Sequence, residues 1–427
     1  MAQNYVLLER IELNASAASV TFSNIPQSGY TDLKVVMSIR GTATNVANAQ
    51  YLSINGSSGS TNFTGKLIEG DGASAYSVSP NQFIGNSTNA SATANTFSNI
   101  EVYFPNYTSS NNKSYSMDSV SENNATTAYA SIFAGLWSQT ATITSLGFSQ
   151  AGGNYVSGCT FSLYALAATG TTPSIAPKAS GGNITTDGTY WIHTFLTTQT
   201  FTPFTNLTCD YLVVAGGGGT GGSATSGGGG AGGLRSSVSP TGGGGSAESA
   251  ISAASGTAYT ITVGAGGAGS SGAAGTSGSN SVFSTITSTG GGFGTASGAA
   301  GAGGSGGGGA TAGSGTSGQG YAGGTGEAGG GGAGGVGQVS AFNGTNKGGI
   351  GVTNAISGSS VNYAGGGNPG GGQNNTYGGG NGEYGANSNN QTDGTANTGG
   401  GGGGKWGGSQ PGKSGGSGIV IIRYAMA

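Results

Sequence analysis

The stretch Asp210-Tyr-Leu-Val-Val-Ala-Gly-Gly-Gly-Gly219 opens a glycine field that Gly418-Ile-Val-Ile-Ile-Arg-Tyr424 closes, and most of the chain's 96 glycines lie between the two. Residues 211–214 and 419–422 are short β-branched-rich runs of the kind that pair inside a sheet, so the field is staked at both ends. A disordered Gly/Ser segment has no reason to end on a buried-type strand. Disorder also goes with high net charge, whereas only 6% of these residues are charged. The field is expected to fold.

It has few side chains to bury. Glycine-rich chain can adopt an extended threefold helix, of about 3.1 Å rise per residue, that makes no hydrogen bonds within itself. Its N–H and C=O groups then need neighbouring chains as partners, and only glycine lets backbones approach so closely. The runs fit this requirement: 227–233 is interrupted once by Ala231, 303–309 once by Ser305 and 329–335 once by Ala333, while 242–245 and 399–404 are unbroken. Polar, aromatic-bearing segments at 338–347, 352–363, 373–377 and 383–398 read as loops at the ends of such rods. Collagen, the other threefold helix, needs glycine at every third residue and abundant proline, and this chain has 9 Pro.

The order Trp191-Ile-His-Thr-Phe195, Thr200-Phe-Thr202, the strand at 210–215, glycine runs, Tyr259-Thr-Ile-Thr-Val-Gly-Ala-Gly-Gly267 and Ile419-Val-Ile-Ile-Arg-Tyr424 carries a resemblance. It resembles the glycine-rich domain of bacteriophage tail proteins and the polyglycine-sandwich adhesins of T-even-like phages, over residues 183–427. In those adhesins the rods are a scaffold and the end loops touch the host receptor. By position, the resemblance gives that role here to the segments between runs. Phe293, Tyr321, Phe342, Tyr363, Tyr377, Tyr384 and Trp406 stand alone among small polar residues in the field. Rigid aromatics amid Ser, Gly and Asn have the composition of a recognition surface, so these seven are the receptor-binding candidates. The competing reading is that their rings staple rods together over bare glycine backbone.

Residues 1–167 read as an all-β domain. Strand-length runs fall at 6–13, 19–22, 33–39, 51–54, 100–104, 115–120, 130–137, 142–148 and 160–166, several with period-two alternation. Turn residues between them point to a β-sandwich or jelly roll. Asn4-Tyr-Val-Leu-Leu-Glu-Arg-Ile11, Ser19-Val-Thr-Phe-Ser-Asn-Ile-Pro26, Ala94-Asn-Thr-Phe-Ser98, Ala134-Gly-Leu-Trp137 and Gly158-Cys-Thr-Phe-Ser-Leu-Tyr164 resemble a β-module found at the front of phage structural proteins. That resemblance implies a virion protein whose first half packs against other virion proteins. Residues 168–182, polar and punctuated by proline, read as a linker, and 183–427 form the glycine-rich domain. In it, 184–209 should give strands around Trp191, Phe195, Phe201 and Phe204 that cap one end of the rods. Residues 259–263 and 281–287 should join that layer and pair with 211–214 and 419–422.

Chemistry is hinted at and mostly fails. Gly216-x-Gly218-x-x-Gly221 follows an apolar strand, as a dinucleotide fingerprint does, but glycine and serine follow where a helix must begin. Gly407-x-x-x-x-Gly412-Lys413-Ser414 matches a phosphate loop by spelling, yet it lacks the preceding strand and following helix. No cofactor is expected. His193, the single histidine, alternates with Trp191 and Phe195 on one strand face and reads as packed structure. Glu69 with Asp71, and Asp118 with Glu122, are the closest carboxylate pairs for Ca²⁺ or glycoside hydrolysis; neither has an EF-hand pattern, and turn solvation accounts for both. Cys159 and Cys209 have no zinc spacing and read as buried thiols. Net charge is −3 with no basic run, so nucleic acid is not an expected partner, and neither a secretory signal nor a stretch long enough to enter a bilayer is read.

The reading is therefore of a non-enzymatic phage structural protein in the virion, a tail fibre or adhesin. Its first half would attach to the particle, and its glycine-rich loops would bind a glycan or outer-membrane protein of the host. The fibre resemblance implies a homotrimer. A capsid decoration or head-fibre protein is the alternative, and a tailspike-like depolymerase using a carboxylate pair is the third.

Overall fold

The computed structural model describes residues 5–123, 128–168, 176–222, 225–326, 328–338, 347–371, 377–383, 390–407 and 410–426. All regular elements among them are strands. The chain divides into two bodies, one of residues 1–177, 183–185 and 426–427, the other of residues 178–182 and 186–425.

The first body contains β1 (Tyr5–Glu12), β2 (Ser19–Phe22), β3 (Tyr30–Ile39), β4 (Ala47–Ile54), β5 (Phe63–Gly70), β6 (Ala75–Val78), β7 (Phe83–Thr88), β8 (Ser98–Phe104), β9 (Lys113–Val120), β10 (Ala130–Trp137), β11 (Leu146–Gln150) and β12 (Thr160–Ala167). One antiparallel sheet runs β1-β12-β3-β8-β9-β10-β5-β6, and a second runs β2-β11-β4-β7. Alternation decides which face is buried. In β9 every odd residue from Lys113 to Ser119 is buried and every even one exposed, and in β10 the even positions 130–134 are exposed. Leu33, Val35 and Met37 of the first sheet share one apolar cluster with Phe22, Leu52, Ile84 and Phe148 of the second. The two sheets thus form a sandwich, and each aromatic buried there stabilises it by roughly 1.5–3 kcal/mol.

β5, β6 and β7 are absent from the sequence expectation; for β5 and β7 the reason is glycine, and β6 is only four residues long. Gly65, Gly70 and Gly85 interrupt the alternation that marks a strand. Two glycines of this sheet are seats for neighbouring rings: a Cβ on Gly65 would stand 2.0 Å from Phe133 Cζ, and one on Gly135 2.2 Å from Tyr115 Cζ. The expected strand at 142–148 also begins later, at Leu146, with Ile143 buried ahead of it.

The second body contains β13 (Ala179–Ser180), β14 (Asn183–Thr186, which it shares with the first), β15 (Tyr190–Phe195), β16 (Gln199–Pro203), β17 (Leu207–Val214), β18 (Thr225–Ser226), β19 (Leu234–Ser236), β20 (Ile251–Ala253), β21 (Tyr259–Thr262), β22 (Ser281–Phe283), β23 (Ile286–Ser288), β24 (Val352–Asn354), β25 (Val361–Tyr363), β26 (Lys405–Trp406) and β27 (Ile419–Ala425). The two staking runs do pair: Val214 lies opposite Ile419 and Tyr211 opposite Ile422, with β15 on the far side of β27. β21 and β22, expected in that same layer, instead join β13, β16 and β23 in a second sheet. Phe201 and Phe283 explain the arrangement, because their rings stand edge-on to each other and reach His193 and Tyr211 of the first sheet. Phe204, expected in this cap, is 62% exposed. Of the segment read as a linker, 169–175 lie outside the described residues, and Ala179–Ser180 forms β13 on β16.

Between the strands the chain runs as glycine rods, and residues 227–233 show the rule. Their N–H groups point to three neighbours in rotation. Gly227, Gly230 and Gly233 donate to the carbonyls of Thr295, Gly292 and Thr289 at 2.8–3.1 Å. Gly228 and Ala231 donate to Ala328 and Gly331, and Gly229 and Gly232 to Gly402 and Gly399. Their carbonyls accept from three more neighbours: Gly308 and Ser305 bond to Gly228 and Ala231, Gly218 and Ala215 to Gly230 and Gly233, and Gly367 to Gly229. Steps of three residues and six surrounding chains are the geometry of packed polyglycine II helices.

Closeness, and not backbone conformation, excludes larger residues here. No glycine of this run has positive φ, yet a Cβ on Gly229 would stand 2.0 Å from the Gly218 carbonyl oxygen, and one on Gly232 2.0 Å from that of Ala215. The alanines that interrupt the runs sit where a rod meets the strand cap: Ala231 and Ala333 belong to one apolar cluster with Leu212, Val214, Leu234 and Ile421.

Candidate functional site

Rods leave or enter the strands at one end of this body. Residues 215–222 follow β17, 227–233 lead into β19, 289–295 follow β23 and 412–418 lead into β27. Backbone bonds knit the opposite ends together: Gly222 donates to Gly272, Ala296 to Ala273, Gly412 to Ser270, Gly371 to Glu383 and Glu383 to Gly404. A side-chain network makes the floor of this far end.

Lys405 is the centre of that floor. It is buried, and its Nζ donates to the Gly222 carbonyl at 2.9 Å and to the Gln410 carbonyl. Burial pushes the ammonium below its usual range, with the charge of Glu383 acting the other way. Glu383, also buried, accepts from the Trp406 backbone N–H at 3.3 Å, and Gln391 Nε2 donates to the Pro411 carbonyl at 3.0 Å. Lys405 and Trp406 form β26, which pairs with β18. Trp406 itself is half-buried, and its six-membered ring lies over Gly371, where a Cβ would meet it at 3.6 Å. One ring face rests on bare backbone and the indole remains accessible from outside.

The other aromatic candidates divide. Phe293 is half-buried with its ring over Gly301, where a Cβ would be 2.6 Å from Cδ1. Tyr321 is half-buried and lays its hydroxyl over Gly244, where a Cβ would be 2.6 Å away. Both rings cover glycine backbone and keep part of their surface exposed. Tyr377 is half-buried, and its carbonyl accepts from Gly365 N–H at 2.9 Å. Tyr363 is 3% exposed: β25 sets it opposite Val352 and carries its ring into the apolar cluster of the strand cap, so it offers no contact area. Phe342 and Tyr384 lie outside the described residues. Lys405, Glu383 and Gln391 went unread in the sequence, where a lysine and a glutamate among glycines carry no signal of burial.

The phosphate-loop spellings resolve into rods. Gly216 and Gly218 donate their N–H groups to Ser279 and Gly230, and Gly412 and Gly415 theirs to Ser270 and Gly267. These four amides, which would help cradle a phosphate, are thus already bonded to neighbouring backbone. Glu69 is a buried structural carboxylate that accepts from Tyr76, Asn86 and Ser131, while Asp71 is exposed and caps the N–H groups of Ala73 and Ser74. Asp118 is raised above the usual carboxylate range by burial and by Glu101. Among the described residues no group of three or more His, Cys, Asp or Glu stands close enough to hold a metal. Cys159 and Cys209 are free, buried thiols.

No curated protein and no solved structure matches this chain. Residues 194–425, more than half of the chain and the span from the end of β15 through β27, match the glycine-rich domain, and the chain belongs to that family.

Proposed function

We propose that the protein is a structural protein of a bacteriophage virion, a tail fibre or adhesin that attaches through its first body and meets the host surface with the far end of the rods. The reading rests on the division of labour within the second body. Rods bond to one another chiefly through backbone N–H and C=O groups, a scaffold whose spacing does not depend on the side chains carried at its far end. Trp406, seated on Gly371, is the anchor of that surface, and Phe293 presents further flat aromatic area. The partner is a glycan or an outer-membrane protein, bound without chemistry. Several copies on one particle raise effective affinity by about 10²–10⁴, so weak single contacts suffice.

Purified protein is expected to block adsorption of the phage to its host, and Trp406→Ala protein to do so at least about tenfold less well, as loss of a tryptophan anchor costs 2 kcal/mol or more. Equal blocking by both proteins removes Trp406 from the surface. Gold-labelled antibody against residues 183–427 should mark the tail; label spread over the capsid favours a decoration protein, and particles without label end the virion reading.

A further inference from the structure

We infer that β6 is a pairing edge that joins two copies of this chain into one continuous sheet. β6 ends its sheet, and all four of its residues, Ala75-Tyr-Ser-Val78, are exposed. Natural sheets guard such edges with a very short strand, charge, proline, a bulge or a covering loop; this strand is four residues long, and it carries neither charge nor proline.

The hairpin register fixes what the edge offers. Asp71 N–H donates to the Ser74 carbonyl at 3.1 Å, and Gly70 lies opposite Ala75, Glu69 opposite Tyr76, Ile68 opposite Ser77 and Leu67 opposite Val78. Antiparallel bonding alternates along this ladder, so Tyr76 and Val78 turn their backbone groups towards β5. Ala75 and Ser77 turn theirs outward, where they await a strand. A second copy brought in antiparallel, about a twofold axis normal to the sheet, places Ser77 opposite Ser77 and Tyr76 opposite Val78. Tyr76 and Val78 are 41% and 45% exposed, and this register pairs the aromatic of each copy with the β-branched residue of the other.

Charge chooses the same orientation. Lys66 Nζ reaches Ser79 Oγ just past the end of β6, while the Asp71 carboxylate sits just before its start, on the N–H groups of Ala73 and Ser74. Antiparallel union sets the Lys66 end of each copy beside the Asp71 end of the other, twice over. Parallel union would set like beside like. On the other face, which Ser77 shares, Ile68 and Ile132 of β5 and β10 lie directly opposite each other, 63% and 66% exposed. The contact is short, which makes a weak and concentration-dependent pair. It closes at two copies, in place of the three that the fibre resemblance implies.

Sedimentation velocity on the full chain, up to its solubility, tests the pairing. The wild-type chain should form dimers as concentration rises. Ser77→Lys sets two ammonium groups face to face and should weaken the dimer at least about tenfold, as should Ser77→Glu with two carboxylates, while each variant keeps the wild-type melting temperature. An equal mixture of the two variants should recover the dimer. A wild-type chain that stays monomeric throughout overturns the inference, and so does any oligomer, a trimer included, that Ser77→Lys leaves intact.

Discussion

Gly229→Ala is expected to destabilise the glycine-rich body by about 3 kcal/mol or more, although it adds a single methyl group. Alanine in place of glycine at an ordinary φ normally stabilises a protein by about 0.4–1 kcal/mol through the unfolded chain. Here the sign reverses. The new Cβ would lie 2.0 Å from the Gly218 oxygen and 3.0 Å from the Gly402 nitrogen, so two neighbouring rods must draw back. Gly229 donates to Gly402 and the adjoining Gly230 accepts from Gly218, and both bonds lengthen as the rods part. Gly272→Ala is the control, because the nearest atom to its Cβ is Ser270 Oγ at 3.3 Å, the end of a movable side chain. Calorimetry should show the transition of this body lowered by roughly 6–12 °C for Gly229→Ala. A drop of similar size for Gly272→Ala, or none for Gly229→Ala, would mean that rod spacing is not what limits these positions.

The second large effect is a loss of stability on acidification, centred on His193. Its ring is buried; Nδ1 lies 2.7 Å from the Gly181 carbonyl and Nε2 2.9 Å from the Tyr424 hydroxyl, which also accepts from Lys178 N–H at 3.0 Å. A carbonyl only accepts, so Nδ1 carries the proton and Nε2 receives the tyrosine hydrogen. Burial pushes the imidazole down to about 4, from 6.5 when exposed. The folded state therefore resists a proton that the unfolded state binds. Stability is complete above pH 6.5, falls as pH drops towards 4, and the loss from this one group reaches about 3 kcal/mol. His193→Gln, which cannot titrate, should flatten the dependence between pH 6.5 and 4 in urea unfolding of this body. An unchanged slope in the variant would assign the acid sensitivity to other groups.

The strands at 211–214 and 419–422 were legible because β-branched runs beside glycine have no reading other than a buried sheet. The threefold rods were legible because only backbone contact can hold such runs. Their register was not, since glycine offers no side chain to distinguish one neighbour from another; the pairing of Gly228 with Ala328, and of Gly229 with Gly402, is set by the turns and strands at the rod ends. Tyr363 misled for a related reason. It stands alone in sequence, and the apolar residues it joins, Leu212 and Ile421 among them, come from distant parts of the chain. In the first body Gly65 and Gly135 hid their role, because what fills the space above each is a ring from a neighbouring strand. At the far end Trp406 was legible as an isolated aromatic, whereas the buried Lys405 and Glu383 beneath it were not, as charge is ordinarily a mark of exposure.

The rods also set how this protein answers to temperature. The heat capacity of unfolding comes from newly wetted surface, which apolar groups raise and polar groups lower. Unfolding a bundle of glycine helices wets chiefly peptide groups, and the apolar contribution is confined to the strand cap. The stability of this body should therefore follow a shallow curve, with little penalty in the cold and a gradual decline on warming.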